Sequence, residues 1–409
     1  MSPKHWWVFA SVKSERPNSI TLMLRDLKDA AAARSDIRIT VEVSCTRNGS
    51  SGEDFPTGQN YPKIIRLASR VLSLTFRIVE DIKESWNIGR LYARATASTD
   101  NVNALVVVPP NLSVLFMKFW HFRSNPAENL YCLIREPYPL NVPLYKKWIS
   151  FGVLPLRLFE LPLIITLLVA DKVFVESCFD SNLLKSWAKA LWLPRKTINL
   201  ILEKIEVQHN WTLLHHAPLQ PSIQVSRLSN GVLYLGNISH LSDSLLVTGL
   251  STLDRLQVPI HFYGSHDEKA RDVINGSYFN VRSLPYIDTK SLARVAKKYR
   301  FGLIALDRNT PLGNIPGKVM SYLELGLEIL CIANPQSEIY KLVMSEKIGY
   351  SLHHDDSKII PVFEAIASRE TPARHIQTCY RVLNRRFNPH SFIERLIAQR
   401  KSAPQDEAH

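Results

Sequence analysis

The sequence predicts an α/β protein built from two Rossmann-like domains, and three observations support this fold class. The chain has 409 residues, more than one ordinary hydrophobic core organises. Short aliphatic or β-branched runs alternate with amphipathic helical segments, a pattern typical of parallel sheets with helices on both faces. The alternation weakens beyond Pro194 and restarts at Gly231, which indicates a second sheet.

The first domain is predicted over residues 1–207. Its expected strands cover Trp6–Ser11, Ile37–Val43, Asn103–Val108, Leu130–Arg135 and Lys172–Ser177. Its expected helices cover Ser19–Ala33, Lys63–Trp86, Leu112–Phe122 and Ser181–Trp192. The most hydrophobic stretch, Phe151–Ala170, is roughly long enough to cross a bilayer. Because it contains Pro, Arg and Glu residues, we interpret it as a buried helix that leads into the next strand.

The second domain is predicted over residues 228–385, after an irregular linker that contains His215, His216 and prolines. Its expected strands cover Gly231–Gly236, Pro259–Gly264, Asn280–Tyr286, Phe301–Leu306 and Glu328–Ala333. Its expected helices include Ser291–Lys298, Ile359–Ser368 and Thr371–Arg385. This order of elements is that of a nucleotide-binding Rossmann-like half. Residues 386–409 form the tail, where Phe387–Lys401 predicts a last amphipathic helix.

One loop–helix–strand unit of the second domain has the features of an anion site. A polar loop leads into Pro316, Gly317 and Lys318, and an amphipathic helix follows until Gly326 ends it. The N–H groups and the dipole of a helix N-terminus attract anions. Lys318 adds a positive charge in the first turn, where a cation is unfavourable unless an anion is near. The unit is therefore predicted to hold a diphosphate.

The same unit resembles a known family. The segment Asn314–Lys318, followed by Ser321–Gly326 and a strand, is similar to the donor-site signature of GT-B glycosyltransferases. The closest branch is family four, among bacterial polysaccharide enzymes. The resemblance implies two Rossmann-like domains that face each other across a cleft. It also implies a C-terminal helix that crosses back to the first domain.

The chain departs from the family pattern at two positions. The family usually has a glutamate that binds the ribose where this chain has Ser321, and a second glutamate near the donor sugar where it has Gly313. Glu324 is acidic but lies nearly a turn further along the helix. Ribose contact through Ser321 is therefore expected to be weaker than in the family.

The resemblance implies a set of site residues. Lys318 is the expected stabiliser of the leaving diphosphate, and Glu136, in the loop after a first-domain strand, is the expected acceptor-site carboxylate. The implied donor-binding residues are Gly236, Asn237, Gly264, Tyr286, Asn314, Pro316, Gly317, Ser321 and Glu324.

Each of these residues also has an ordinary structural explanation. Lys318 fits a solvated first-turn lysine, and Ser321 fits a residue that faces solvent. The glycines fit strand-ending turns. Tyr286 fits packing better than stacking on a base, and Glu136 fits a solvated residue in a proline-built turn. The hypothesis therefore rests on the joint order of these residues rather than on any one of them.

Composition narrows the expected partners. The net charge of +13 suits an anionic ligand or an anionic membrane surface, while the lack of a dense Arg/Lys run argues against nucleic acid. The five cysteines are scattered, and no signal peptide is apparent, so a cytoplasmic protein is expected. No cofactor is expected. The loop His353–Asp356 has no usual ligand spacing, so no metal site is expected.

A lipid-linked acceptor is suggested by mixed aromatic and basic residues in Phe116–Arg123 and Tyr145–Trp148. Such residues suit an interface with anionic lipid, at the inner face of the cell membrane. The alternative is a helix packed within the domain with its charges outward.

The resulting hypothesis is a hexosyltransferase-type glycosyltransferase that moves a sugar from a nucleotide-diphosphate donor to a saccharide or lipid-linked saccharide. The resemblance implies a retaining, metal-independent reaction in cell-surface polysaccharide synthesis. Because of Ser321 and Gly313, the alternative is a degenerate GT-B protein that acts as a non-catalytic binding or scaffold subunit. A GT-B epimerase is a third interpretation, but it needs catalytic carboxylates and histidines that the sequence does not place.

Overall fold

A computed structural model of the chain describes residues 4–12, 19–45, 82–95, 97, 103–107, 113–114, 116–117, 129–134, 140, 160–191, 193–211, 231–236, 254–255, 257–264, 275, 279–287, 289–306, 308, 310–353, 361, 364 and 374–398. The chain divides into two compact units. The first comprises residues 1–209 together with 389–409, and the second comprises residues 210–388.

The first unit contains a parallel sheet whose six strands, within the described residues, run in the order β2-β1-β3-β4-β5-β6. The strands are β1 (Lys4–Val12), β2 (Ile37–Cys45), β3 (Asn103–Val107), β4 (Asn129–Ile134), β5 (Lys172–Val175) and β6 (Ile205–Val207). The helices are α1 (Ser19–Ala32), α2 (82–95), α3 (Leu161–Val169), α4 (Cys178–Lys189), α5 (Arg195–Lys204) and, from the C-terminus, α10 (Pro389–Ala398). Every residue of β3 is buried, as expected for a central strand covered by helices on both faces.

The last helix, α10, packs on the first unit. The ring of Phe392 meets the ring of Phe174 on β5 edge to face, with 5.2 Å between the ring centroids. The ammonium of Lys4 donates to the carbonyl oxygen of Ile397 at 2.8 Å. The predicted return of the C-terminal helix to the first domain is therefore confirmed.

The second unit contains a parallel sheet whose six described strands run in the order β12-β11-β10-β7-β8-β9. The strands are β7 (Gly231–Leu235), β8 (Ile260–Tyr263), β9 (Val281–Leu284), β10 (Tyr299–Ala305), β11 (Glu328–Ile332) and β12 (Gly349–Leu352). The helices are α6 (Thr289–Ala296), α7 (Lys318–Glu324), α8 (Glu338–Glu346) and α9 (Arg374–Arg386). The two sheets confirm the predicted fold class.

Sequence reasoning missed α5 and β6. β6 has three residues, of which only Ile205 is fully buried, so it carries too little alternation to be recognised. In α5 only Ile201 is buried, because the helix packs near the edge of the sheet. The described part of the hydrophobic stretch before β5 forms α3, and no helix among the described residues is long and apolar enough to span a membrane. The predicted linker falls largely in 212–230, outside the described residues.

Removing the side chain of Phe392 tests the packing of α10. We expect Phe392→Ala to lower the free energy of unfolding by about 3–5 kcal/mol, because a fully buried aromatic ring leaves a cavity. Chemical denaturation measures this change. Glu394→Gln is the matched control on the same helix, since that side chain is exposed and contacts Arg34 at the surface. Equal effects of the two substitutions would contradict the packing.

Candidate functional site

The direction in which the chain adds strands to the second sheet reverses between β7 and β10. The chain runs outward from β7 through β8 to β9, then returns to β10 on the other side of β7 and continues outward to β12. Such a reversal leaves a crevice at the carboxyl ends of the two central strands, where ligands of open α/β sheets bind. The residues that follow β7 and β10 are therefore the first candidates for a site.

The turn after β7 is formed by close backbone contacts. Gly236 has a φ of +112°, a conformation that side-chain-bearing residues rarely adopt. Gly264 follows β8, and a Cβ atom there would lie 2.4 Å from the carbonyl oxygen of Gly236. The two predicted glycines are thus brought together, and each needs to be glycine for a different reason.

Lys318 reaches this turn from α7. Its ammonium nitrogen lies 3.8 Å from the centroid of the Tyr234 ring and 3.6 Å from the position that a Cβ on Gly236 would take. Burial lowers the pKa of Lys318 to about 8, because desolvation penalises the charged form. Among the described residues the ammonium has no ion pair or hydrogen bond; its described partner is the Tyr234 ring. The crevice therefore holds a partly desolvated cation that has no counter-ion among the residues the structure describes.

The loop before α7 brings the predicted motif to the same place. Gly317 precedes the helix, and the amide of Val319 donates to the carbonyl oxygen of Pro316 at 2.9 Å, which tightens the first turn. The amide of Glu338, at the start of α8, donates to the carbonyl oxygen of Leu312 at 2.8 Å and fixes the middle of the loop. The exposed Asn314 lies in this loop.

The end of α7 confirms the predicted stop at Gly326. This residue is in the left-handed conformation with a φ of +64°. The amide of Leu327 donates to the carbonyl oxygen of Tyr322 at 2.8 Å, and the amide of Gly326 donates to that of Leu323 at 3.0 Å, the bonding pattern of a Schellman motif. The buried strand β11 starts immediately afterwards, so α7 is held rigidly between two strands.

The other predicted donor-binding residues differ in how far their side chains are buried. Ser321 is half-buried. It lies three residues after Lys318, so the two side chains are neighbours on the same face of α7. Glu324 is only 9% exposed at the last position of α7. Tyr286 is 78% exposed, just beyond the edge strand β9, two strands away from β7. The structure thus groups Gly236, Gly264 and Lys318 most closely.

Several predicted features lie outside the described residues: Glu136, Asn237, most of Phe116–Arg123, Tyr145–Trp148 and His354–Asp356. No group of three or more His, Cys, Asp or Glu side chains among the described residues is placed to hold a metal ion. Sequence reasoning missed Tyr234, whose ring supports the Lys318 ammonium. The only local signal was an aromatic residue one position before the end of a strand that leads into a glycine turn.

No protein-family profile and no curated protein match the sequence. Solved structures do match it. An α,α-trehalose-phosphate synthase (UDP-forming) from Burkholderia xenovorans aligns over 96% of this chain and 99% of its own, with a TM-score of 0.56 and 9% identity. The chain has the GT-B fold. Sucrose-phosphate synthase from Thermosynechococcus elongatus aligns over 95% of this chain and 97% of its own, with a TM-score of 0.54 and 14% identity.

A third GT-B structure aligns over nearly the full length. It is described as trehalose-6-phosphate from E. coli bound with UDP-2-fluoro glucose, and it covers 97% of this chain and 99% of its own. The TM-score is 0.57 at 10% identity. These alignments establish that the two-domain GT-B fold extends across the whole chain, at identities that show the fold alone.

The placement of Lys318 predicts its titration. We expect competitive acetylation of lysines, read by peptide mass spectrometry across pH, to give Lys318 a midpoint near its pKa of about 8. The physical reason is that burial favours the neutral amine. Lys341, exposed on α8, is the internal control for access of the reagent to the protein surface. A Lys318 midpoint near 10.5, the ordinary lysine value, would show that the ammonium is not desolvated.

Proposed function

We propose that the protein is a glycosyltransferase that moves a sugar from a nucleotide-diphosphate donor to a saccharide or lipid-linked saccharide acceptor. The observation that carries the proposal is the Lys318 ammonium, which lies beside the Gly236 turn, at the switch point of the second sheet. A partly desolvated cation such as Lys318, which has no carboxylate partner in the described part of the chain, is stabilised by the arrival of an anion. The neighbouring structure that holds UDP-2-fluoro glucose supports a nucleotide-diphosphate sugar as that anion.

The chemistry follows from where charge develops. The bond between the anomeric carbon and the diphosphate oxygen breaks, and the electron pair leaves with the diphosphate. Lys318 stabilises that charge, and such preorganised stabilisation is often the largest catalytic term. The acceptor hydroxyl forms the new bond to the anomeric carbon, and its proton passes to an oxygen of the departing diphosphate. We place Glu136 on the acceptor side of this reaction.

Three finer features belong to the same proposal. Transfer proceeds with retention of anomeric configuration, as the family resemblance implies. Lys318 and backbone amides supply the positive charge that a metal supplies in other transferases. The product is a cell-surface polysaccharide or its lipid-linked precursor, made in the cytoplasm at the inner face of the membrane. The first two features rest on the motif from Asn314 to Lys318, and the third on that motif and the surface described below.

A second candidate function is a non-catalytic GT-B subunit that binds a nucleotide without transferring a sugar. The features that favour it are Ser321, which stands where the family has its ribose-binding glutamate, and Gly313, which stands where the family has the second glutamate. Slow hydrolysis of a nucleotide sugar, measured over a panel of UDP, GDP and ADP sugars, separates the candidates. A transferase releases the nucleoside diphosphate from at least one donor, whereas a scaffold binds without turnover.

Substitution of Lys318 tests the diphosphate site. We expect Lys318→Met to weaken binding of the preferred nucleoside diphosphate by roughly tenfold or more, the scale of one lost charge-assisted hydrogen bond. Isothermal titration calorimetry measures the affinity, and Lys341→Met is the matched control on an exposed helix face. Unchanged affinity in Lys318→Met would exclude Lys318 from the site.

The same variant should not lose stability. Because the pKa of Lys318 in the folded protein lies below that of a solvated lysine, the unfolded state binds more protons between about pH 8 and 10.5. Stability from this group therefore rises with pH across that window, and removing the charge should raise the melting temperature at pH 7.

Ligand affinity should fall as pH rises above about 8, because the neutral amine no longer attracts phosphate.

The first unit also offers a surface for an anionic membrane. Helix α3 contains no charged residue, and Leu161 and Leu168 are 47% and 42% exposed. Ile164 and Ile165 lie between them and are half-buried, so one helix face is a continuous aliphatic stripe. Protein interfaces usually favour aromatic residues and arginine at their centres, which this stripe lacks. Its composition suits lipid better than a protein partner.

Lysines flank the stripe. On the neighbouring helix α5, Leu200 is 51% exposed, and Lys196 and Lys204 lie one turn before and after it on the same face. The ammonium of Lys204 donates to the carbonyl oxygen of Leu168 at 3.2 Å, which places this lysine at the end of the stripe. Aliphatic side chains with adjacent lysines are the combination that binds anionic lipid headgroups.

Vesicle binding tests this surface. We expect Leu168→Glu to reduce co-sedimentation with vesicles of phosphatidylglycerol and phosphatidylcholine several-fold, because a carboxylate opposes both the apolar contact and the lipid charge. Met344→Glu is the control, since Met344 is 54% exposed on α8 in the other unit. Equal loss in both variants, or no binding by the wild type, would contradict the surface.

A further inference from the structure

The central strands of the second sheet stop pairing with each other before they end. β7 and β10 pair at Gly231 with Tyr299, and their last paired residues are Leu233 and Gly302. Both strands continue beyond that point along their outer neighbours, β8 and β11. In a parallel ladder the next bond between them would join the amide of Leu235 to the carbonyl oxygen of Leu303.

A tyrosine hydroxyl takes the place of that bond. The amide of Leu235 donates to the hydroxyl oxygen of Tyr322 at 2.8 Å, and this hydroxyl donates to the carbonyl oxygen of Leu303 at 3.2 Å. Tyr322 is fully buried, and burial raises the pKa of its hydroxyl well above the ordinary value, so the proton remains available for donation. The hydroxyl is inserted into the ladder between the two strands.

Gly302 makes room for the ring. A Cβ atom at Gly302 would lie 2.3 Å from the Cγ atom of Tyr322, closer than real side chains approach. The ring therefore lies directly against the backbone of β10. A glycine within a buried strand often marks such a close approach, and here the ring that approaches comes from α7.

The inserted hydroxyl connects the two parts of the candidate site. Leu235, which it holds, directly precedes Gly236, and Tyr322 lies on α7 one turn after Lys318. The side chain of Lys318 in turn lies beside Gly236. One hydroxyl thus fixes the end of β7 relative to the helix that carries the cation, and it keeps β7 and β10 apart where the crevice opens.

We propose that Tyr322 is a positioning residue that sets the distance between the Gly236 turn and the Lys318 ammonium, and so the width of the crevice that receives the phosphates. The inference rests on the proposed function for its ligand. Phenylalanine would fill the same volume but would let the amide of Leu235 bond directly to Leu303. The end of β7 would then move toward β10, away from the position that Lys318 requires.

The variant Tyr322→Phe tests this role, and it folds because only one oxygen atom is removed. We expect inorganic pyrophosphate to bind roughly tenfold more weakly by calorimetry, as for one lost charge-assisted bond. We also expect the Lys318 acetylation midpoint to rise from about 8 toward 10.5, because the displaced turn no longer covers the ammonium. A purely structural hydroxyl would not move this midpoint.

Tyr350→Phe is the matched control. Tyr350 lies on the edge strand β12, where its ring packs against Phe301 with 6.1 Å between the ring centroids, so removal of its hydroxyl should change neither readout. If the wild type binds pyrophosphate and Tyr322→Phe binds it equally with an unchanged Lys318 midpoint, the inference is overturned. If the wild type binds neither pyrophosphate nor any nucleoside diphosphate, the proposed function fails, and the Lys318 midpoint alone decides the positioning role.

Discussion

The candidate site of the second unit is organised around one ammonium group that is kept partly out of water. Lys318 lies over the ring of Tyr234 and beside Gly236, and burial lowers its pKa to about 8. Desolvation makes the charged form unfavourable unless an anion offsets it. A ligand that supplies this anion binds the folded state alone and therefore stabilises it. The proposed affinity for a diphosphate and the stability of the unit therefore depend on the same electrostatic balance.

A second buried cation in the same sheet has a carboxylate partner. Arg300, at the start of β10, is 2% exposed, and its Nε atom lies 3.0 Å from a carboxylate oxygen of Glu328 at the start of β11. This internal pair offsets the desolvation of both groups. At the carboxyl edge, Lys318 has no such partner among the described residues. Arg300 thus has an internal carboxylate partner at the amino edge, whereas Lys318 lies at the carboxyl edge, where sheets of this topology bind ligands.

Much of the fold could be predicted because its signals are local. The alternation of strands and helices fixed the class, and Gly326 marked the end of α7 because only a residue tolerant of positive φ fits there. β6 was not predicted because three residues at the edge of a sheet show almost no alternation of buried and exposed side chains. Gly236 and Lys318 could be proposed as site residues from the sequence. More than eighty residues separate them, so their contact could be identified only from the fold.

Tyr322 shows what a sequence pattern cannot predict. In the sequence, Tyr322 belongs to the apolar face of a short helix, and this assignment is correct, since the side chain is fully buried. The pattern cannot reveal that its hydroxyl bonds to Leu235 and Leu303, because periodicity reports which face is buried and not which polar atom meets it. The one available signal was Gly302, a glycine inside a strand whose residues are all buried. A glycine in a buried strand indicates that something approaches closely, and here the fold identifies a tyrosine ring that separates the two strands on which the site is built.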